Sequence, residues 1–164
     1  FHSVEFTGDG TLTLSTTSVT SSNTQWNYPI FAGSFENTAD NPVDKGSSTL
    51  TVNGPTINIS AGTGSNNWIG SCGIKISQTD AGAGYGQIII RSGSLRAEGE
   101  QYGVCVGKVT DGDGNTLTSY RVKKNGSTTW EDVTGVEAAW TSSGLESYIG
   151  VEFNSTSTST TSGE

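Results

Sequence analysis

Val4-Glu5-Phe6-Thr7-Gly8-Asp9-Gly10-Thr11-Leu12-Thr13-Leu14-Ser15 is the stretch that decides the fold class. Val4 and Phe6, then Leu12 and Leu14, stand at alternate positions with Glu or Thr between them. Side chains two apart share one face of a strand, so each half reads as a strand with one buried face. Gly8-Asp9-Gly10 turns the chain between the two. The signature continues outward over residues 28–35, 49–52, 56–59, 69–76, 87–91, 102–110, 117–123, 129–133 and 148–153. Turn residues fill nearly every gap. Asn53-Gly54 and Asn125-Gly126 offer the positive φ of tight hairpins, and Asp111-Gly112-Asp113-Gly114-Asn115 is expected to cap a hairpin from 104–106 to 120–122. Residues 136–140 suit one helical turn, and 81–86 a flexible loop or a close backbone crossing. Short strands at this spacing predict an all-β fold: a single antiparallel β-sandwich, jelly-roll or immunoglobulin-like, over residues 1–153. After Phe153 the pattern stops, and 154–164 reads as an exposed Ser/Thr-rich tail.

Composition agrees with a thin β structure. Of 164 residues, 23 are Gly and 47 are Ser or Thr, while 15% are charged. Leu, Ile, Val and Phe together number 32, near the level at which disorder becomes the default, but the weak charge and the alternating runs argue for folding. Helical bundles lack any apolar 3.6-residue period here. The longest apolar run, Ile88-Ile89-Ile90, is far short of a bilayer span, so no transmembrane segment is expected. With a net charge of −8 and eight basic residues scattered singly apart from Lys123-Lys124, the electrostatic footprint of a nucleic-acid partner is missing. A chain that starts at Phe1 without Met fits a processed secreted protein and equally a trimmed one.

The residues able to carry chemistry are few. His2 is the single histidine, so Ser/His/Asp and Cys/His catalysis cannot be assembled without it, and Phe1 occupies the position where a copper oxygenase needs His. Glu98 and Glu100 would share a strand face, as a glycosidase carboxylate pair does and as solvated outer-face glutamates do. Asp40, Asp44, Glu131 and Asp132 sit in loop-like contexts. Asp111, Asp113 and Asn115 have the alternating oxygen spacing of a calcium loop, but Thr116 and Val122 replace the glycine and the acid of an EF-hand; a metal-free hairpin turn is favoured over a calcium site. Cys72 and Cys105 lie outside any CxxC or His cluster, which leaves a structural disulfide or two buried thiols. Sequons at Asn58, Asn125 and Asn154 are compatible with a glycosylated surface protein. Trp26 and Trp140 are the sugar-stacking candidates, with Trp68 and Trp130 assigned to core packing.

The opening run from Val4 to Ser15, with Phe31-Ala32-Gly33-Ser34-Phe35-Glu36-Asn37-Thr38-Ala39-Asp40-Asn41-Pro42-Val43, resembles the start of biofilm-matrix fibre proteins of the TasA/camelysin type and related archaeal bundling pilins. The likeness covers about the first third of the chain. It implies a jelly-roll subunit that polymerises head-to-tail with copies of itself by donor-strand exchange. The residues alone allow the same idea: an extended segment apolar at Phe1, Val4 and Phe6 can add to a sheet edge, and equally can be the first strand of its own domain. The leading expectation is thus a non-enzymatic extracellular structural subunit forming a surface filament. A carbohydrate-binding module or lectin is the alternative, and a viral capsid or tail appendage the third reading.

Overall fold

The structure, a computed structural model, describes residues 3–18, 27–32, 48–64, 71–76 and 86–155. The strands expected at either end of the deciding stretch form as β1 (Ser3–Thr7) and β2 (Thr11–Ser15), followed by β3 (Ile30–Ala32). One further circuit holds β4 (Thr49–Ser60) and β5 (Cys72–Ile76), and a third holds β6 (Gln87–Glu98) and β7 (Tyr102–Val106). β8 (Lys108–Asp111) begins a fourth. The remaining chain forms β9 (Ser119–Lys124), β10 (Glu131–Thr134), a 3-10 turn at Leu145–Ser147 and β11 (Tyr148–Asn154).

The all-β expectation holds, but the antiparallel one does not. β1 and β2 pair in parallel with successive halves of β4, β4 with β6, and β6 with β8. On a separate three-stranded sheet, β3, β5 and β7 are also parallel. Antiparallel strand pairing, which a jelly roll or immunoglobulin-like sandwich requires throughout, occurs among the described strands only where β11 joins β6 and β9 and where β9 joins β10. Alternation along a strand specifies which face is buried and is silent about the direction of the neighbour. Parallel neighbours need connections of a dozen or more residues, and the first circuits have them.

The chain therefore winds in stacked coils. Ser3, Thr49, Gln87 and Lys108 lie over one another, 46, then 38, then 21 residues apart. Stacking in register turns alternation into interior columns. Val4, Leu50, Ile88 and Val109 form one column; Leu12, Ile57, Leu95 and Phe153 form a second; Ile30, Ile74 and Val104 form a third. Leu50, Ile57, Ile74, Ile88, Leu95, Val104, Val109 and Phe153 are fully buried in one core shared by both sheets. Each such side chain stabilises the fold by roughly 1.5–3 kcal/mol.

Asn53-Gly54 corrects a second expectation. It makes no hairpin: β4 runs through it, with only a register irregularity against β6. Gly54 (φ 120°) instead stacks on Gly8 (φ 102°) and beneath Gly93 (φ 84°), one glycine from each coil. A Cβ on Gly54 would lie 2.4 Å from the Gly8 carbonyl oxygen, and one on Gly93 would lie 2.2 Å from that of Pro55. The Gly8-Asp9-Gly10 turn thus belongs to a bend repeated in the first three coils, each time at a positive φ that favours glycine. At the opposite corner the buried amide of Asn27 joins two coils. Its Oδ1 accepts from Thr16 Oγ1, and its Nδ2 donates to the carbonyls of Thr17 (2.7 Å) and Thr63 (3.3 Å).

Three smaller expectations also change. The run 102–110 breaks at Gly107 into β7 and β8, because the chain there leaves one sheet for the other. The Asp111–Asn115 turn closes locally, with Thr110 bridged to Thr116, rather than pairing 104–106 with 120–122. Residues 136–140 are not helical; the one helical turn among the described residues lies at Leu145–Ser147. Asn125-Gly126 does join an antiparallel pair, β9 and β10, with Gly126 at φ 77°.

Candidate functional site

The two ends of the stack differ. At the N-terminal end β1 and β2 pair with β4 alone and β3 with β5 alone, so each presents one edge with no strand beside it among the described residues. Val4 and Phe6 are half-buried there, as are Leu12 and Leu14, all resting on the core. A recess of about 280 Å³ opens between the sheets, lined by Val4, Phe6, Leu14, Ile30 and Phe31 above Leu50. Phe31 is 41% exposed and stacks on Tyr28 with ring centroids 5.7 Å apart. Tyr28 in turn lies 5.3 Å from the Lys75 ammonium.

Natural sheet edges left in water are usually blunted by charge, proline, bulges or a covering segment. Of the N-terminal edge strands, only β1 carries a charge, Glu5, whose Oε1 accepts from Asn53 Nδ2 at 2.9 Å.

The C-terminal end is covered. The far side of β8 is bridged by Ala139 and Thr116, Leu117 N donates to the Val109 carbonyl at 2.9 Å, and Leu145 is buried against β7. β11 and the β9–β10 hairpin extend the sheet with a charged outer face. In one row across four strands Arg96, Glu152, Arg121 and Asp132 alternate in sign, with Arg96–Glu152 at 2.5 Å and Arg121–Glu152 at 3.5 Å. The next row sets Glu98 and Lys123 on either side of Gly150, and the two form an ion pair. The edge strand β10 carries exposed Glu131 and Asp132, the former 2.8 Å from Lys124.

Trp130 lies on this outer face rather than in the core. Its ring sits above Gly150, with the Arg96 guanidinium 4.6 Å and the Lys123 ammonium 5.6 Å from its centroid. Its place within the strand-like run 129–133 gave no sign of this; the signal was the glycine across the sheet, Gly150, which leaves room for an indole. Trp140, half-buried like Trp130, has different neighbours: it is edge-on to Tyr102 at 5.0 Å and packs against Cys72 and Cys105. Phe1, His2, Trp26, Trp68, Asp40, Asp44, most of the 81–86 loop and the tail from 156 onward lie outside the described residues.

Cys72 and Cys105 are buried thiols rather than a disulfide. The parallel register sets Cys72 level with Tyr102 and Cys105 level with Lys75, so the two are not cross-strand partners. The Cys72 thiol donates to the Ile74 carbonyl at 2.9 Å, and burial, followed by the neighbouring Cys105, pushes its pKa well above the usual thiol value.

Asp111 organises its own turn. Its Oδ1 accepts from the main-chain N–H of Asp113 and of Asn115, both at 2.9 Å, and its Oδ2 accepts from Asn115 Nδ2 at 3.1 Å. Burial raises the carboxyl pKa, but these donors outweigh it and leave the group below its ordinary value. The oxygens that a calcium ion would take are thus turned toward N–H groups of the same loop. Among the described residues no three acidic, His or Cys side chains gather as metal ligands. The Glu98 and Glu100 carboxylates are engaged separately, Glu98 with Lys123 and Glu100 with the Gly64 N–H at 3.2 Å. Of the sequons, Asn125 is exposed in a turn, Asn58 is half-buried between β2 and β6, and Asn154 ends β11. No helix among the described residues is long and apolar enough to cross a membrane. Compared with protein-family models, curated proteins and solved structures, the chain matches none.

Proposed function

We propose that this chain is a non-enzymatic structural module of an extracellular fibre or surface appendage, and that it assembles through main-chain pairing at its N-terminal end. The observation that carries this reading is the polarity of the stack. Three strand edges with no neighbour among the described residues and an apolar recess occupy one end, and a covered cap with a charged outer sheet face occupies the other. Strand addition at an open edge supplies main-chain hydrogen bonds, while pockets for alternate side chains supply specificity. Val4 and Phe6, the residues expected to form a donor strand, belong here to the chain's own first coil. The mechanism proposed is therefore edge addition onto β1, β2 and β3, with the first strand kept in its own sheet.

The test is electron microscopy and sedimentation of the wild-type chain beside a Ser3→Lys/Thr7→Lys variant, which charges the edge at two exposed positions. Assembly that disappears in the variant supports the reading; a wild-type chain that stays monomeric at every concentration overturns it. The alternative reading, a carbohydrate-binding module, is served by Trp130, whose indole lies over Gly150 on the charged sheet face, better than by Trp140, which packs on Cys72, Cys105 and Tyr102. A glycan that quenches tryptophan fluorescence in the wild type but not in Trp130→Ala would support it.

A further inference from the structure

We infer that the outer face of β6, β11, β9 and β10 is a binding site for a neutral polysaccharide that lies across the strands, with Trp130 as its stacking platform. The inference rests on the reading of Trp130 as the carbohydrate-facing indole, is independent of end-on assembly, and adds the class of glycan and its path. Trp130 directly precedes β10, and its ring reaches across Lys123 of β9 to lie over Gly150 of β11. A Cβ on Gly150 would come within 3.0 Å of the indole Cη2 and 3.1 Å of the Lys123 Cβ. Gly150 stands inside a strand and is not among the glycines of positive φ, so the backbone does not require glycine there. Glycine within a strand costs about 0.5–1 kcal/mol relative to alanine. What it supplies is a seat that holds the indole against the sheet while the residue stays partly exposed. A ring fixed in this way offers a π face to the C–H face of a sugar.

The polar groups around the ring are fixed as well. Glu152 receives Arg96 at 2.5 Å and Arg121 at 3.5 Å, and Glu98 receives Lys123. These contacts hold the side chains in place without exhausting them: Arg96 directs Nε and Nη2 at a single oxygen of Glu152, and a guanidinium carries five donors in all. Adjacent hydroxyls of a sugar ring, each a donor and an acceptor, match such pre-oriented groups.

Charge selects among glycans. Arg96, Arg121 and Lys123 balance Glu98, Glu152 and Asp132 on this face, and all three cations are already paired. The chain as a whole carries −8, a field that repels an acidic polymer. A neutral polymer meets no repulsion and breaks no ion pair. Register sets the path. Neighbouring strands stand about 4.8 Å apart, close to the advance of one sugar along an extended chain. The rows Arg96–Glu152–Arg121–Asp132 and Glu98–Gly150–Lys123 run straight across them.

The experiment is surface plasmon resonance of the full chain, at dilutions where it sediments as a monomer, over immobilised mannan, dextran, hydroxyethylcellulose and alginate. The wild type should bind at least one of the three neutral polymers and bind alginate at least ten-fold more weakly. Trp130→Ala should weaken that binding at least ten-fold, and Ser3→Lys/Thr7→Lys, at the other end, should leave it unchanged. Arg121→Ala/Asp132→Ala, two exposed positions, should weaken it several-fold and serves as the face variant if circular dichroism shows Trp130→Ala to be unfolded. Oligosaccharides of the bound polymer should compete with a potency that rises up to about four sugars, one for each strand crossed, and then levels. Alginate bound as tightly as any neutral polymer, or full competition by a single sugar, would overturn the inference and leave the carbohydrate reading standing. No binding to any of the four polymers, or full binding by a folded face variant, would overturn both and leave end-on assembly untouched.

Discussion

Gly93→Ala is the substitution on which the stacked-coil account can be pressed hardest. Gly93 holds φ 84°, where an alanine is strained by about 1–3 kcal/mol. Its new Cβ would also lie 2.2 Å from the Pro55 carbonyl oxygen and 2.7 Å from that of Gly54, both main-chain atoms of the coil below. Ordinary contact begins near 3.4 Å, so one coil must move by about 1 Å relative to the other, and forced repacking of that kind costs about 1–3 kcal/mol. The total is about 2–6 kcal/mol. Gly126→Ala isolates the strain, because Gly126 has φ 77° and nothing within 4 Å of an added Cβ; it should cost about 1–2 kcal/mol. In urea, with a slope of about 2 kcal/mol per molar, Gly93→Ala should lower the midpoint by about 1–3 M and Gly126→Ala by less than about 1 M. Tryptophan fluorescence and circular dichroism can follow both transitions. Equal midpoints for the two variants would refute the claim that glycines of successive coils are stacked at this bend.

Other consequences are open to simpler assays. Both cysteines should resist a thiol reagent in the native chain and react as two thiols once denatured without reductant; a denatured chain with no reactive thiol would mean that Cys72 and Cys105 are bonded. Because the folded-state pKa of Cys72 is raised, its contribution to stability is complete below about pH 9 and is lost as pH climbs further, which a urea midpoint series from pH 7 to 10.5 should register. Asp111→Ala should cost about 1–2 kcal/mol through the lost turn bonds, and the wild type should lose that increment as pH falls below about 4, since the carboxyl pKa is lowered by folding; an unchanged acid limb in the variant would contradict this. Tyr120 carries the one buried side-chain oxygen without a hydrogen-bond partner among the described residues, and burial, then Tyr148, lifts its pKa to about 12. Tyr120→Phe should therefore be neutral or slightly stabilising in thermal melts, and a loss above about 1 kcal/mol would show that the hydroxyl has a partner.

The strands were legible because alternation survives whatever the neighbouring strand does. Val4, Phe6, Leu12, Leu14, Ile57 and Ile59 all point where their spacing says. The direction of pairing was hidden for two reasons. Asn53-Gly54 has the composition of a hairpin turn, yet its glycine serves a bend, and a positive φ is common to both. The coils also hide their repetition: positions 3, 49, 87 and 108 stack at intervals that shrink with each turn, so no fixed period exists to be found along the chain. Aligned columns such as Val4, Leu50, Ile88 and Val109 become visible only after the connections are set aside. The assembly end was half legible. The apolar positions of the first strand marked it, but what distinguishes it from an ordinary first strand is the capped opposite end, which no single segment announces. The surroundings of Trp130 and Trp140 were hidden because what an aromatic on a sheet touches depends on the residue across from it, Gly150 for one and the Cys72–Cys105 region for the other.

Hydrogen–deuterium exchange as a function of protein concentration tests end-on assembly most directly, because it reads the main-chain groups that would pair. As concentration rises, amides in Ser3–Thr7, Thr11–Ser15 and Ile30–Ala32 should slow, while those in Glu131–Thr134 should keep their rate. Unchanged exchange in the first three strands, or protection that appears in Glu131–Thr134 instead, would contradict the account.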